Sequence, residues 1–146
     1  MSNNLIQIAG VHLNATASSP EEAVRLCGQK LLELEAVDQK YVDAMWEREQ
    51  AFSSAIGFGL AIPHGTDQAR AWVKFDQLVF LRFGEPIDWQ GDEVKMCVGI
   101  AAQGDNHMDI LGNLADLIQD PESEKTLLET NDPQEILNLV LATESE

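Results

Sequence analysis

Three side chains in this sequence have types and neighbours that suit them to chemistry. His64 follows the apolar run Leu60-Ala61-Ile62 and sits between Pro63 and Gly65. Proline fixes the backbone ahead of the imidazole, and glycine lets a ligand approach the main chain closely. The stretch Gly65-Thr66-Asp67-Gln68-Ala69 is suited to a helical turn that offers N–H groups to an anion. His107 stands at the expected start of a helix, just past the C-terminal end of an expected strand. In open α/β sheets that edge is where ligands bind. Arg48, between Glu47 and Glu49, is either a solvated ion-pair former or a guanidinium fork for phosphate oxygens. A histidine after proline or in a first helical turn is also an ordinary structural residue, so position alone assigns neither imidazole a role. The remaining histidine, His12, lies in the first expected strand, near the surface by pattern, and is assigned none.

The elements that must place these groups are legible in outline. Ser19-Pro20-Glu21-Glu22 and Asp132-Pro133-Gln134-Glu135 each combine an N-cap, a proline at the first helical position and a capping-box glutamate. Asp120-Pro121-Glu122 is a weaker version. These signals predict helices over 20–34, 121–130 and 133–142. Ala23, Val24, Cys27, Leu31 and Leu34 fall on one face of the first. A further helix is expected over 38–49, with Tyr41, Val42, Met45 and Trp46 inward, and another from just before His107, carrying Ile110, Leu111, Leu114, Leu117 and Ile118. Strands are expected at 6–13, 60–62, 78–83 and 94–102, with a short extended piece at 87–89 and a loop over 50–59. Gln103-Gly104-Asp105-Asn106 reads as the turn into the helix that carries His107. Strands interleaved with helices predict an α/β fold, a single-domain sandwich over 1–146 with a mixed central β-sheet flanked by helices. The mixed character is expected because 78–83 and 87–89 are too close for a helical crossover.

Composition narrows the function classes. The 146 residues carry 25 acidic and nine basic side chains, a net charge of -16. Nucleic acid and anionic membrane are bound through Lys and Arg, so this balance argues against both as partners. The 45% hydrophobic content is that of a folded chain, and no apolar run is long enough to span a bilayer. Met1-Ser2-Asn3-Asn4 shows no basic n-region, so a signal peptide is not expected. Cys27 and Cys97 are the only cysteines, both among apolar neighbours. They are expected to be buried and structural, in a reducing, cytoplasmic setting.

Several chemistries lack their motifs. Gly57-Phe58-Gly59 has no later glycine in register for a dinucleotide loop. Neither cysteine starts a C-x5-R phosphate loop, because the sixth residue on is Glu33 in one case and Gln103 in the other. His107-Met108-Asp109 has no HExxH or paired-cysteine spacing to complete a metal site, which leaves a metal-dependent hydrolase without support.

The stretch from Glu49 to Gly65, ending Ile56-Gly57-Phe58-Gly59-Leu60-Ala61-Ile62-Pro63-His64-Gly65, resembles the signature of the mannitol/fructose-type enzyme IIA domains of the sugar phosphotransferase system. That signature is an acidic or amide residue, a six-residue gap, aliphatic-Gly, two variable residues, then aliphatic-Ala-aliphatic-Pro-His-Gly. Arg48-Glu49, Val98-Gly99-Ile100-Ala101-Ala102, and His107 with its leucine-spaced helix extend the likeness along the chain. Pro63-His64-Gly65-Thr66 and Gly99-Ile100-Ala101-Ala102 are most similar to the mannitol subfamily. Ser54-Ala55 departs from the Ser-Thr pair of many relatives.

The resemblance implies a phosphohistidine carrier. His64 would accept a phosphoryl group from phosphorylated HPr and pass it to a cysteine of the sugar-specific enzyme IIB, in mannitol uptake. Arg48 and His107 would line the site, the first neutralising phosphoryl oxygens and the second donating a hydrogen bond. No metal or other cofactor is implied. Membrane association would be indirect, through the IIBC transporter, and the chain would be a free-standing IIA or an excised domain. Phe58 and Met108 would serve either as a docking face or as core. The alternative within the family is a nitrogen-regulatory type, a protein-binding regulator switched by phosphorylation of His64.

Overall fold

The computed structural model describes residues 5–103 and 106–142, with the side chains at 106–108 left aside. A five-stranded sheet organises the chain. Its strands are β1 (Ile6–Ala15), β2 (Ala55–Gly57), β3 (Leu60–Ala61), β4 (Gln77–Trp89) and β5 (Asp92–Ala101). They lie in the order β1-β4-β5-β3-β2. The pairs β1–β4 and β3–β5 are parallel, while β4–β5 and β2–β3 are antiparallel. The sheet is therefore mixed, as expected, but for a different reason. The 78–83 and 87–89 pieces are one long strand with a register break between Arg82 and Ile87. The antiparallel step comes after it, where Gln90 and Gly91, both at positive φ, close a two-residue hairpin between Trp89 and Asp92.

Apolar residues alternate between the two faces of the sheet. Val79, Leu81 and Cys97 face the first layer, α1 (Pro20–Glu33) and α2 (Gln39–Ala51), where they meet Val24, Cys27, Leu31 and Met45. Leu78, Phe80, Met96, Val98 and Ile100 face the second layer, α3 (Asn106–Gln119), α4 (Pro121–Glu129) and α5 (Pro133–Ala142). Because both faces are covered, the central strands read as unbroken apolar runs. Cys27 and Cys97 are buried free thiols. Burial pushes the Cys97 thiol well up, with neighbouring Cys27 adding to the effect.

Helix starts follow their caps. Ser19 Oγ accepts from Glu22 N at 3.1 Å, while the Glu22 carboxylate reaches Ser18 N at 2.6 Å, one residue before the expected partner. Asp120 Oδ2 accepts from both Ser123 N and Ser123 Oγ, at 3.1 and 2.7 Å, so the weakest sequence signal still makes a full cap.

The 50–59 segment departs most from expectation. It contains the end of α2, strand β2 and a tight β2–β3 turn. Gly57 faces Leu60 across that turn, with Phe58 and Gly59 at its corner, both at positive φ. The Gly-Phe-Gly run is thus hairpin chemistry, and it leaves Phe58 53% exposed. Met108 lies outside the described side chains.

Candidate functional site at the sheet edge

Strands β3 and β5 run parallel and end at the same edge of the sheet. The chain leaves β3 through Ile62 and Pro63 and reaches His64, which forms an isolated parallel bridge to Ile100 near the end of β5. Ile100 N donates to Pro63 O at 2.9 Å, holding the proline against β5. His64 is 6% exposed, and its Nδ1 lies 2.8 Å from Ile62 O. A carbonyl only accepts, so Nδ1 carries a proton here, and in the neutral ring the lone pair is on Nε2.

Arg48 comes to the same place from the last turn of α2. It and His64 line one cleft of about 350 Å³, together with Glu47, Phe52, Gly65, Thr66 and Asp67. Its Nη1 donates to Phe52 O at 2.8 Å, and its guanidinium lies 5.9 Å from the centroid of the Phe52 ring. Neither flanking glutamate forms an ion pair with it. Glu47 faces the cleft, and Glu49 turns into the core. The carbonyl bond leaves the rest of the fork available to an anion in the cleft.

His107 lies in the first turn of α3, which begins five residues after β5 ends, and its side chain is outside the described residues. Gln103, two residues past the end of β5, is held through both its main chain and its side chain. Its N–H donates to Asp76 Oδ1 at 2.8 Å, and its Nε2 donates to Val73 O at 2.8 Å.

Two residues that hold the site were read from the sequence as helix face or signature only. Tyr41 Oη donates to Ile100 O at 2.8 Å and accepts from Gly65 N at 2.9 Å. Burial raises its pKa from 10.0 to about 12, so the hydroxyl keeps its proton. Glu49 is 1% exposed, and its Oε2 accepts from Ser54 N at 2.7 Å and from Trp89 Nε1 at 2.8 Å. An acidic residue at a motif position was the available signal for Glu49. Nothing in the sequence marks the Tyr41 hydroxyl apart from its inward helix position.

The profile of the family described as "Phosphoenolpyruvate-dependent sugar phosphotransferase system, EIIA 2" matches residues 4–142. The chain belongs to this family. A mannitol-specific phosphotransferase enzyme IIA component from Halalkalibacterium halodurans is 39% identical over 137 residues, covering 94% of each chain. The Escherichia coli enzyme IIA in a solved complex of enzyme IIAMTL with phosphorylated enzyme IIBMTL superposes with a TM-score of 0.87 at 27% identity, over 94% of this chain and 99% of that one. The nitrogen regulatory protein IIA-Ntr of Neisseria meningitidis, at 18% identity and TM-score 0.78 over 95% and 98% of the two chains, shares the fold. The protein is thus an enzyme IIA of the phosphotransferase system, closely related to the mannitol-specific members, and a phosphoryl-transferring component. Among its described residues no helix is long and apolar enough to cross a membrane.

Proposed function

We propose that His64 is the phosphoryl acceptor of this enzyme IIA, that Arg48 and His107 serve the transfer, and that the chain acts in the cytoplasm as one domain between phosphorylated HPr and a mannitol-type enzyme IIB. The observation that carries the reading is the shared cleft of His64 and Arg48. The bond from Nδ1 to the Ile62 carbonyl fixes the tautomer, so Nε2 is the nucleophile. Nε2 attacks phosphorus while the bond from phosphorus to the donor's imidazole nitrogen breaks, and that nitrogen keeps the electron pair. In the second transfer a cysteine thiolate of enzyme IIB attacks phosphorus and Nε2 leaves with its pair.

Phosphoryl transfer asks a protein chiefly for placement and charge stabilisation. Arg48 supplies the charge, its guanidinium forking across equatorial oxygens. His107, from the first turn of α3, donates a hydrogen bond to the phosphoryl group. Approach to the membrane is indirect, through the transporter that carries the acceptor domain.

The test is to incubate the protein with enzyme I, HPr and phosphoenolpyruvate and to map the modified peptide by mass spectrometry. Label on His64, lost in His64→Ala, is expected. Undiminished labelling of His64→Ala would remove the assignment. His107→Ala is expected to slow transfer and still accept label, and an unchanged rate would make it a bystander.

A further inference from the structure

We propose that Tyr41 is the positioning residue for His64: its hydroxyl occupies the last rung between the His64 segment and β5 and so sets where the imidazole stands. The proposal rests on the reading of His64 as acceptor. Leu60 pairs with Met96 and Ala61 with Cys97, and the same register returns at His64 and Ile100. In a regular parallel ladder with that register, the N–H of the next residue, Gly65, would donate straight to Ile100 O. Here Gly65 N donates to Tyr41 Oη at 2.9 Å, and Tyr41 Oη donates to Ile100 O at 2.8 Å. A hydroxyl can accept and donate at once, and a phenyl ring can do neither.

The hydroxyl thus ties the end of the His64 segment to β5 through one shared oxygen. It does so where the sheet opens into the cleft. The tyrosine ring fixes the approach from the side as well. A Cβ at residue 65 would lie 2.6 Å from Tyr41 Cε1, so the glycine backbone is seated directly on the ring. Without the oxygen, either Gly65 N–H closes onto Ile100 O and draws His64 toward β5, or both groups stay buried and unpaired. Each outcome moves the imidazole, and in-line transfer tolerates little misplacement.

Tyr41 is the only tyrosine of the chain, which gives the test two independent arms. In the first, single-turnover transfer from phosphorylated HPr is timed for Tyr41→Phe, and the affinity for unphosphorylated HPr is measured alongside. The expected result is a rate lower by roughly tenfold or more, affinity held within about twofold, and label still on His64. An Ile136→Val change in α5, remote from the cleft and chosen as a stability control, is expected to leave the rate unchanged. In the second arm the otherwise unaltered protein is grown with meta-fluorotyrosine, and its single fluorine resonance is followed. It is expected to shift when His64 is phosphorylated. A Tyr41→Phe chain labelled on His64 at the wild-type rate, or a fluorine signal indifferent to phosphorylation, would overturn the role of Tyr41 alone. Label on another residue would overturn the reading of His64 with it.

Discussion

Glu49 Oε2 lies 2.8 Å from Trp89 Nε1, joining the end of α2 to the far end of β4 inside the core. The same oxygen accepts from Ser54 N at 2.7 Å. One carboxylate therefore ties down the turn after α2, whose Phe52 carbonyl holds Arg48. Removing it leaves two buried donors without an acceptor. Glu49→Ala is expected to cost about 3 kcal/mol in urea unfolding, since each stranded donor costs ~1–3 kcal/mol. Glu49→Gln keeps an accepting oxygen and is expected to lose about 1 kcal/mol. Equal losses for the two variants would mean that packing, and not acceptance, is what Glu49 supplies.

Arg48 tests the fork. An ammonium in its place retains positive charge but cannot span two phosphoryl oxygens, and it loses the guanidinium's bond to the Phe52 carbonyl. Arg48→Lys is expected to lower the rate of phosphoryl transfer by roughly tenfold with little change in stability, because the side chain is only partly buried. Rapid-quench kinetics beside a thermal melt checks both halves. Unchanged kinetics would return Arg48 to the role of a surface cation.

Much of this arrangement is legible in the sequence, and the unread part has a physical cause. Proline and a capping side chain act within one turn of chain, so the starts of α1, α4 and α5 were legible. His64 was legible because the Pro-His-Gly environment is contiguous. The run at 60–62 was legible as a strand end, but its hairpin partner β2 was hidden, because three residues are too short for alternation to show. The length of β4 was hidden because Gly84, Glu85 and Pro86 interrupt its pattern where the register breaks. Tyr41 and Glu49 could not be given partners, since Ile100 and Trp89 lie far along the chain.

Tyr41 also predicts behaviour in alkali. Its folded pKa, about 12, is above the ordinary value of 10.0 because burial disfavours the phenolate. The unfolded chain gives up that proton first. The associated stability is complete below pH 10 and is lost as pH rises through about 12. Urea midpoints measured upward from pH 9 are expected to fall for the wild type more steeply than for Tyr41→Phe. Parallel curves would show that the phenol ionises as freely folded as unfolded.

His12 makes the opposite prediction in acid. It is partly buried, and its Nε2 is enclosed without a hydrogen-bond partner. Burial first, and the nearby Lys30 ammonium second, hold its pKa below the ordinary 6.5. The unfolded chain therefore takes up the proton before the folded one. The contribution is complete above pH 6.5 and declines as pH falls from there through the folded pKa. Replacing the ring by one with no nitrogen removes both the titration and the stranded acceptor. His12→Phe is expected to match or exceed wild-type stability near neutral pH, and to lose less of it on acidification just below pH 6.5. The difference between the two stability profiles isolates this residue from the many carboxylates. A constant difference across that window would show that the imidazole titrates normally and that its enclosure has no energetic consequence.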